Sequence, residues 1–234
     1  MKLEVFEDAD AVARKASDAI AADARAAIAA RGRFIFAVSG GRTPWIMLRA
    51  LADEDIRWSA VHIYQVDERV APDGHPDRNL THLTESFLQH VAIPAENVHA
   101  MPVLLPDLAA AAQQYDLDLQ KTVGAPPVLD LVHLGLGPDG HTASLVPADP
   151  VLNVTDTDVS VTGIYQGRRR MTLTYPTINR ARRILWVVTG NDKTEMLHRL
   201  LDADQSIPAG RVQRDQALLL ADRVAAGELA AGRA

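Results

Sequence analysis

Short, nearly unbroken apolar runs alternate along this chain with segments in which apolar positions recur every three or four residues. The runs at 34–38, 61–66, 128–134 and 183–188 are short and end in turn-forming or polar residues, which predicts buried strands; the third is apolar apart from Asp130 and His133. Between 9 and 30, Val12, Ala16, Ala19, Ile20, Ala27 and Ile28 fall on one helical stripe, and Gly32 supplies a stop. Further helices are predicted from the 39–44 loop to about 51, from a cap at Asn79 or Thr81, after Pro106, over 194–201, and over 221–229 behind a strand at 217–220. The repeated order strand, loop, helix predicts an α/β fold: a Rossmann-like open, mostly parallel sheet with helices on both faces. Residues 152–174, rich in Thr and Val, leave this rhythm and are read as two short strands, a small antiparallel edge or hairpin. Pro126 and Pro127 form a stiff connector, and without a linker, repeat or low-complexity tract, residues 1–234 are expected to form a single domain.

Composition narrows the function. At 234 residues, 47% hydrophobic and 23% charged, the chain is long enough and apolar enough for a large core. The absence of cysteine removes disulfides, thiolate nucleophiles and thiolate metal sites, and fits a reducing cytoplasm. The N-terminus has no basic-then-apolar leader pattern, and no apolar run approaches the roughly 18 residues of a membrane span, so a cytoplasmic protein with no membrane partner is expected. A net charge of −6 argues against nucleic acid as a partner but leaves room for a small anion pocket.

Candidate chemistry collects at the ends of the predicted strands, where open parallel sheets bind ligands. The turn Gly135-Leu-Gly-Pro-Asp-Gly-His141 carries one imidazole inside a glycine-rich loop. Read alone it is also a simple chain reversal, with Asp139 as a helix cap and His141 at the surface. Ser39-Gly-Gly-Arg-Thr-Pro44 offers close backbone approach at Gly40 and Gly41, hydroxyls on Ser39 and Thr43, and the Arg42 guanidinium, just before a helix N-terminus; by composition it is a phosphate cradle, or else a tight turn with an early proline. Asp67-Glu-Arg69 follows the second strand and reads as a surface ion pair or as site residues: Arg69 binding phosphate or an oxyanion, Asp67 holding a substrate hydroxyl or orienting His141. In Arg168-Arg-Arg-Met-Thr-Leu-Thr174, strand alternation puts Arg170, Thr172 and Thr174 on one face, so Arg170 is a candidate phosphate ligand while Arg168 or Arg169 is solvated. Lys193, opening a helix, is a third candidate cation. The histidines show no metal-ligand spacing, and His133, inside a strand, reads as a core histidine, so no metal and no cofactor are expected.

These motifs, with Gly190-Asn-Asp-Lys193, occur in the order seen in the 6-phosphogluconolactonase family, which the chain resembles over nearly its whole length. That family shares a Rossmann-like superfamily with the glucosamine-6-phosphate deaminases and isomerases. The resemblance implies hydrolysis of 6-phospho-D-glucono-1,5-lactone to 6-phosphogluconate in the oxidative pentose phosphate pathway; a monomer or weak homodimer is expected. His141 would be the base, Asp139 or Asp67 its orienting group, and Arg69 or backbone N–H groups at 137–140 the oxyanion donors. Ser39, Gly40, Gly41, Arg42, Thr43, Arg170 and Lys193 would hold the phosphate. The deaminases resemble Asp-Gly-His-Ile-Ala-Phe-Asn-Glu-Pro at the histidine motif, and their glutamate position is Val146 here; an apolar side chain cannot move a proton. Arg42 and Val146 depart from the usual lactonase pattern, in which a smaller residue and phenylalanine are common. An amino-sugar-phosphate deaminase and a non-catalytic sugar-phosphate sensor are the alternatives, although no DNA-binding segment fits before Phe34.

Overall fold

The computed structural model describes residues 1–230; residues 231–234, the last four of the expected domain, lie outside the described residues. In chain order the elements are β1 (Lys2–Phe6), α1 (Ala9–Arg31), β2 (Phe34–Val38), α2 (Arg42–Leu51), β3 (Val61–Gln65), β4 (Asp67–Arg69), α3 (Asn79–Ser86), β5 (Val98–His99), α4 (Leu108–Val123), β6 (Leu131–Leu134), β7 (Val159–Val161), β8 (Arg170–Leu173), α5 (Tyr175–Asn179), β9 (Ile184–Val188), α6 (Thr194–Leu201), β10 (Ala217–Asp222) and α7 (Arg223–Ala226).

Seven strands form a parallel sheet in the order β1-β10-β9-β6-β2-β3-β5, and β4, β8 and β7 form a separate antiparallel sheet. The large sheet is buried on both faces, and alternate residues of one strand feed different cores. Phe34, Phe36 and Val38 pack towards α1, α2 and α3, whereas Ile35 and Ala37 pack with α4 and the small sheet. This explains why the strands read as continuous apolar runs rather than as alternating ones. From β2 the chain moves outward through β3 to β5, then returns to place β6 on the other side of β2 and continues to β9 and β10. The loops after β2 and β6 therefore diverge, opening a crevice at the carboxyl ends of the central strands.

The α1 stripe closes as its spacing predicts: Asp8 accepts the Ala11 N–H at the start, and Gly32, at φ 77°, takes the left-handed stop. Several boundaries differ from the expectation. β1 and β5 carry too few apolar residues to stand out, and exist because they pair with β10 and β3. Residues 128–130 precede β6; the Asp130 carboxylate accepts the Ile35 N–H and pairs with Arg31 at 2.7 Å. β10 runs on to Asp222, because its register against β1 extends that far, and α7 is correspondingly short. Neither Asn79 nor Thr81 caps α3. The buried Glu68 carboxylate does so from another element, accepting the N–H groups of Asn79 at 2.7 Å and Leu80 at 2.9 Å.

Candidate active site

A cavity of about 600 Å³ fills the crevice and is lined by Ser39–Thr43 from the β2–α2 loop, Asp67 and Arg69 from β4, Gly135–Pro138 and His141 from the loop after β6, Arg170 from β8, and Thr189, Gly190 and Lys193 from the β9–α6 loop. The structure thus brings together every residue singled out for chemistry except Asp139, which lies one shell outside.

The loop after β6 does not form a capped helix; it folds back on itself. Gly137 N–H donates to the His141 carbonyl at 2.8 Å, and Gly140 N–H to the Gly137 carbonyl at 3.0 Å. This return puts the imidazole against the Gly137 backbone, where a Cβ would lie 2.0 Å from His141 Nδ1, so only glycine fits. His141 Nδ1–H donates to Asp139 Oδ1 at 2.6 Å, and the Tyr165 hydroxyl donates to Asp139 Oδ2 at 2.8 Å. Burial raises the Asp139 carboxyl, but the hydrogen bonds from His141 and Tyr165 outweigh it and hold the group well below the usual carboxylate range. With Nδ1–H committed to this carboxylate, the neutral tautomer carries its lone pair on Nε2, which has no hydrogen-bond partner among the described residues.

Asp67 does not orient this ring. Its carboxylate accepts from Ser144 Oγ at 2.6 Å and Asn79 Nδ2 at 3.4 Å, which fastens β4 to the histidine motif and to α3. Nor is Asp67-Glu-Arg69 a surface ion pair: the acids are buried, and Glu68 pairs with Arg78 at 3.0 Å. Arg69 and Arg170 sit side by side in the β4–β8 register, and among the described residues neither has a carboxylate within 4.0 Å and each has a buried Nε without a partner. Burial disfavours the Arg170 cation and Arg69 disfavours it further, against the pull of Asp67, so its affinity for the proton falls below the ordinary value. Two adjacent guanidiniums of this kind are completed electrostatically by an anion.

The β2–α2 loop supplies a helix N-terminus with no side-chain cap, so its first N–H groups face the cavity unclaimed. Ser39 is a weaker member than its hydroxyl suggests, since its N–H donates to His133 Nδ1 and its Oγ donates to the His133 carbonyl. Gly40 packs against Asn79: a Cβ there would lie 2.1 Å from Asn79 Oδ1, while Asn79 Nδ2 is held by the Asp67 carbonyl. Thr43 Oγ1 meets Thr189 Oγ1 at 2.7 Å, bridging the cavity's two helix-entry loops. Lys193 is paired with Asp192 at 2.8 Å, Arg42 and Arg169 are exposed, and the partly exposed Arg168 is bound to Asp77 at 2.7 Å, tying the 71–78 loop to the β7–β8 hairpin. Sequence reasoning missed Asn79 and Asp222 as lining residues and Tyr165 as a partner of Asp139. Nothing near Tyr165 in sequence marks it beyond the Gln166-Gly167 turn that follows. No group of three or more His, Asp or Glu residues suited to a metal ion occurs among the described residues.

A fold of this class, with an imidazole, a carboxylate and two guanidiniums at its switch point, defines an anion-binding α/β site. Residues 7–220 match the family described as glucosamine-6-phosphate isomerases/6-phosphogluconolactonase, and the chain belongs to that family. A 6-phosphogluconolactonase of Nostoc is 37% identical over 235 residues, covering 97% of this chain and 98% of its own. The crystal structure of 6-phosphogluconolactonase from Thermotoga maritima superposes with a TM-score of 0.84 at 26% identity, covering 94% and 98% of the two chains. A monomeric glucosamine-6-phosphate deaminase superposes equally well, TM-score 0.84 over 97% and 99% of the chains, at 19% identity. The fold is thus common to both chemistries, and the site residues must separate them.

Proposed function

We propose that this protein hydrolyses 6-phospho-D-glucono-1,5-lactone to 6-phospho-D-gluconate, as the names of its lactonase relatives suggest. The observation that carries the proposal is the His141–Asp139 pair, whose Nε2 has no hydrogen-bond partner among the described residues and which shares the cavity with the guanidiniums of Arg69 and Arg170. Nε2 takes a proton from water as the oxygen attacks the lactone carbonyl. The oxyanion is met by Arg69, a cation that lines the cavity, while of the loop amides those of Gly137 and Gly140 are already spent. On collapse, the ring C–O bond breaks and the imidazolium returns its proton to the departing oxygen. The 40–43 backbone, Arg170 and Lys193 hold the phosphate, and that binding energy places the carbonyl for attack. A deaminase would need a second carboxylate near the base; Val146 is buried at 3% exposure and does not line the cavity.

One domain carries the reaction in this reading, in the cytoplasm, as a monomer or weak homodimer. No helix among the described residues is long and apolar enough to cross a membrane. The test follows lactone disappearance by NMR at slightly acidic pH with wild type and His141→Ala, using glucosamine 6-phosphate as a control. We expect the variant to lose about 10²- to 10⁴-fold in rate while still binding 6-phosphogluconate. Binding without acceleration by wild type would favour the sensor, and ammonia from the control would favour the deaminase.

A further inference from the structure

Tyr165 is not part of the cavity lining, yet it is placed to govern what happens there. Its hydroxyl donates to Asp139 Oδ2 at 2.8 Å and lies 3.3 Å from His141 Nδ1, with the two rings edge-on and their centroids 5.4 Å apart. On its other side the Arg170 guanidinium sits over the phenol ring, 4.8 Å from the centroid. Gln166 closes the circuit, accepting from Arg170 Nη2 at 3.1 Å and donating to the Tyr165 oxygen at 3.4 Å. The turn that presents these groups holds Gln166 at φ 51° and Gly167 at φ 78°, and its apolar tip, Ile164, is 76% exposed, so the hairpin is not held there by core packing. This exposed turn is held by its own Tyr165–Arg168 backbone pair and by side-chain contacts, from Tyr165 to Asp139 and Arg170 and from Arg168 to Asp77.

We infer that Tyr165 is a positioning residue for the proposed hydrolysis, acting through Asp139 to fix the His141 ring and to limit how strongly the carboxylate holds a proton on it. The inference rests on the lactonase reading for its kinetic consequence alone. A carboxylate that accepts from both the phenol and the imidazole shares its charge between two donors. Without the phenol, Asp139 acts on His141 alone and stabilises the imidazolium more. The charged group in contact with the ring is Asp139 on its own turn; Arg170, Arg69 and Asp67 line the same cavity. Replacing the phenol with a phenyl ring removes the hydrogen bond to Asp139 and leaves these residues themselves in place.

The test compares wild type with Tyr165→Phe, which keeps the ring over Arg170, and Tyr165→Leu, which removes it. The His141 ring titration, followed by NMR in the absence of substrate, is expected to move to higher pH in both variants. The acid limb of the lactone pH–rate profile should move with it, and kcat should fall roughly tenfold, the worth of one hydrogen bond to a charged group. KM should be unchanged in Tyr165→Phe and raised in Tyr165→Leu, where Arg170 loses its support. A His141 titration and pH profile that coincide with wild type in both variants would overturn the inference, as would a raised KM with unchanged kcat in Tyr165→Phe. Failure of wild type to hydrolyse the lactone would defeat the proposed function, while the NMR comparison would still decide the role of Tyr165.

Discussion

The two sheets of this protein meet at the same cavity but are held together by opposite means. In the large sheet, β2, β9 and β10 are fully buried and almost wholly apolar, so their stability comes from water removed on both faces. In the small sheet, β4 is Asp67-Glu-Arg and β8 opens with Arg170, and these too are mostly out of water. There each charge needs a named partner: Ser144 for Asp67; Arg78, Gln65 and the α3 amides for Glu68. Arg69 and Arg170 have neutral acceptors, the Asp77 carbonyl and Gln166 Oε1, but no carboxylate within 4.0 Å among the described residues, and both line the cavity. The apolar sheet therefore provides the platform and, through the loops after β2 and β6, residues 39–43 and His141, while the charged sheet adds Asp67, Arg69 and Arg170 to the same cavity. A buried cation without a carboxylate is tolerable where a ligand is meant to supply the negative charge.

The contrast is broken most sharply at Glu68, which is 0% exposed. Glu68→Ala strands Arg78 and the first amides of α3, and denaturant unfolding should show a loss of about 3–5 kcal/mol. A loss below about 1 kcal/mol would mean that the small sheet, too, is held by apolar contact.

The one polar side chain inside β6, His133, tests the reverse case. Burial pushes its imidazole down to about 3 from 6.5, so between those values the unfolded chain takes up a proton that the folded protein refuses. The folded value being depressed, the penalty is absent above 6.5 and grows as pH falls, by about 1.4 kcal/mol per pH unit. Unfolding measurements should show His133→Gln gaining on wild type at that rate between pH 6 and 4. A difference independent of pH would mean that the ring is solvated or charged in the fold.

Arg170→Ala should raise KM for the lactone about ten- to a hundredfold with a smaller change in kcat, since it removes a charge-assisted anchor. An unchanged KM would put the phosphate elsewhere in the cavity. The smallest effect belongs to the apolar platform: Ile35→Val should cost only about 0.5–1.5 kcal/mol in thermal or denaturant unfolding and leave the kinetics alone.

Legibility followed the same division. The apolar runs marked β2, β3, β6 and β9 because a strand buried on both faces must be apolar at every position, a property visible residue by residue. Gly32 and Asp107 act as local signals do, the one stopping α1 and the other capping α4. The glycine turn before His141 was equally legible, since Gly137 is required by a contact only four residues away. β4 was not recognised as a strand, because its pairing with β8 lies about a hundred residues along the chain and its side chains are charged. The cap of α3 was misread for the same reason: Glu68 lies 11 residues before the Asn79 amide it accepts, and no spacing rule links them.

By itself the sequence determined five of the seven strands of the parallel sheet, β2, β3, β6, β9 and β10, that strands alternate with helices, and that one imidazole, one glycine-rich anion loop and several cations stand at strand ends. Periodicity and turn chemistry are local, so a linear reading reaches them. The tertiary structure alone decided which carboxylate serves His141, that Asp67 serves Ser144 and Asn79 instead, that Ser39 is spent on His133, and that Tyr165 stands behind Asp139. Those choices depend on distances of a few ångströms between residues far apart in the chain, and hydrogen bonds and ion pairs are decided at that range.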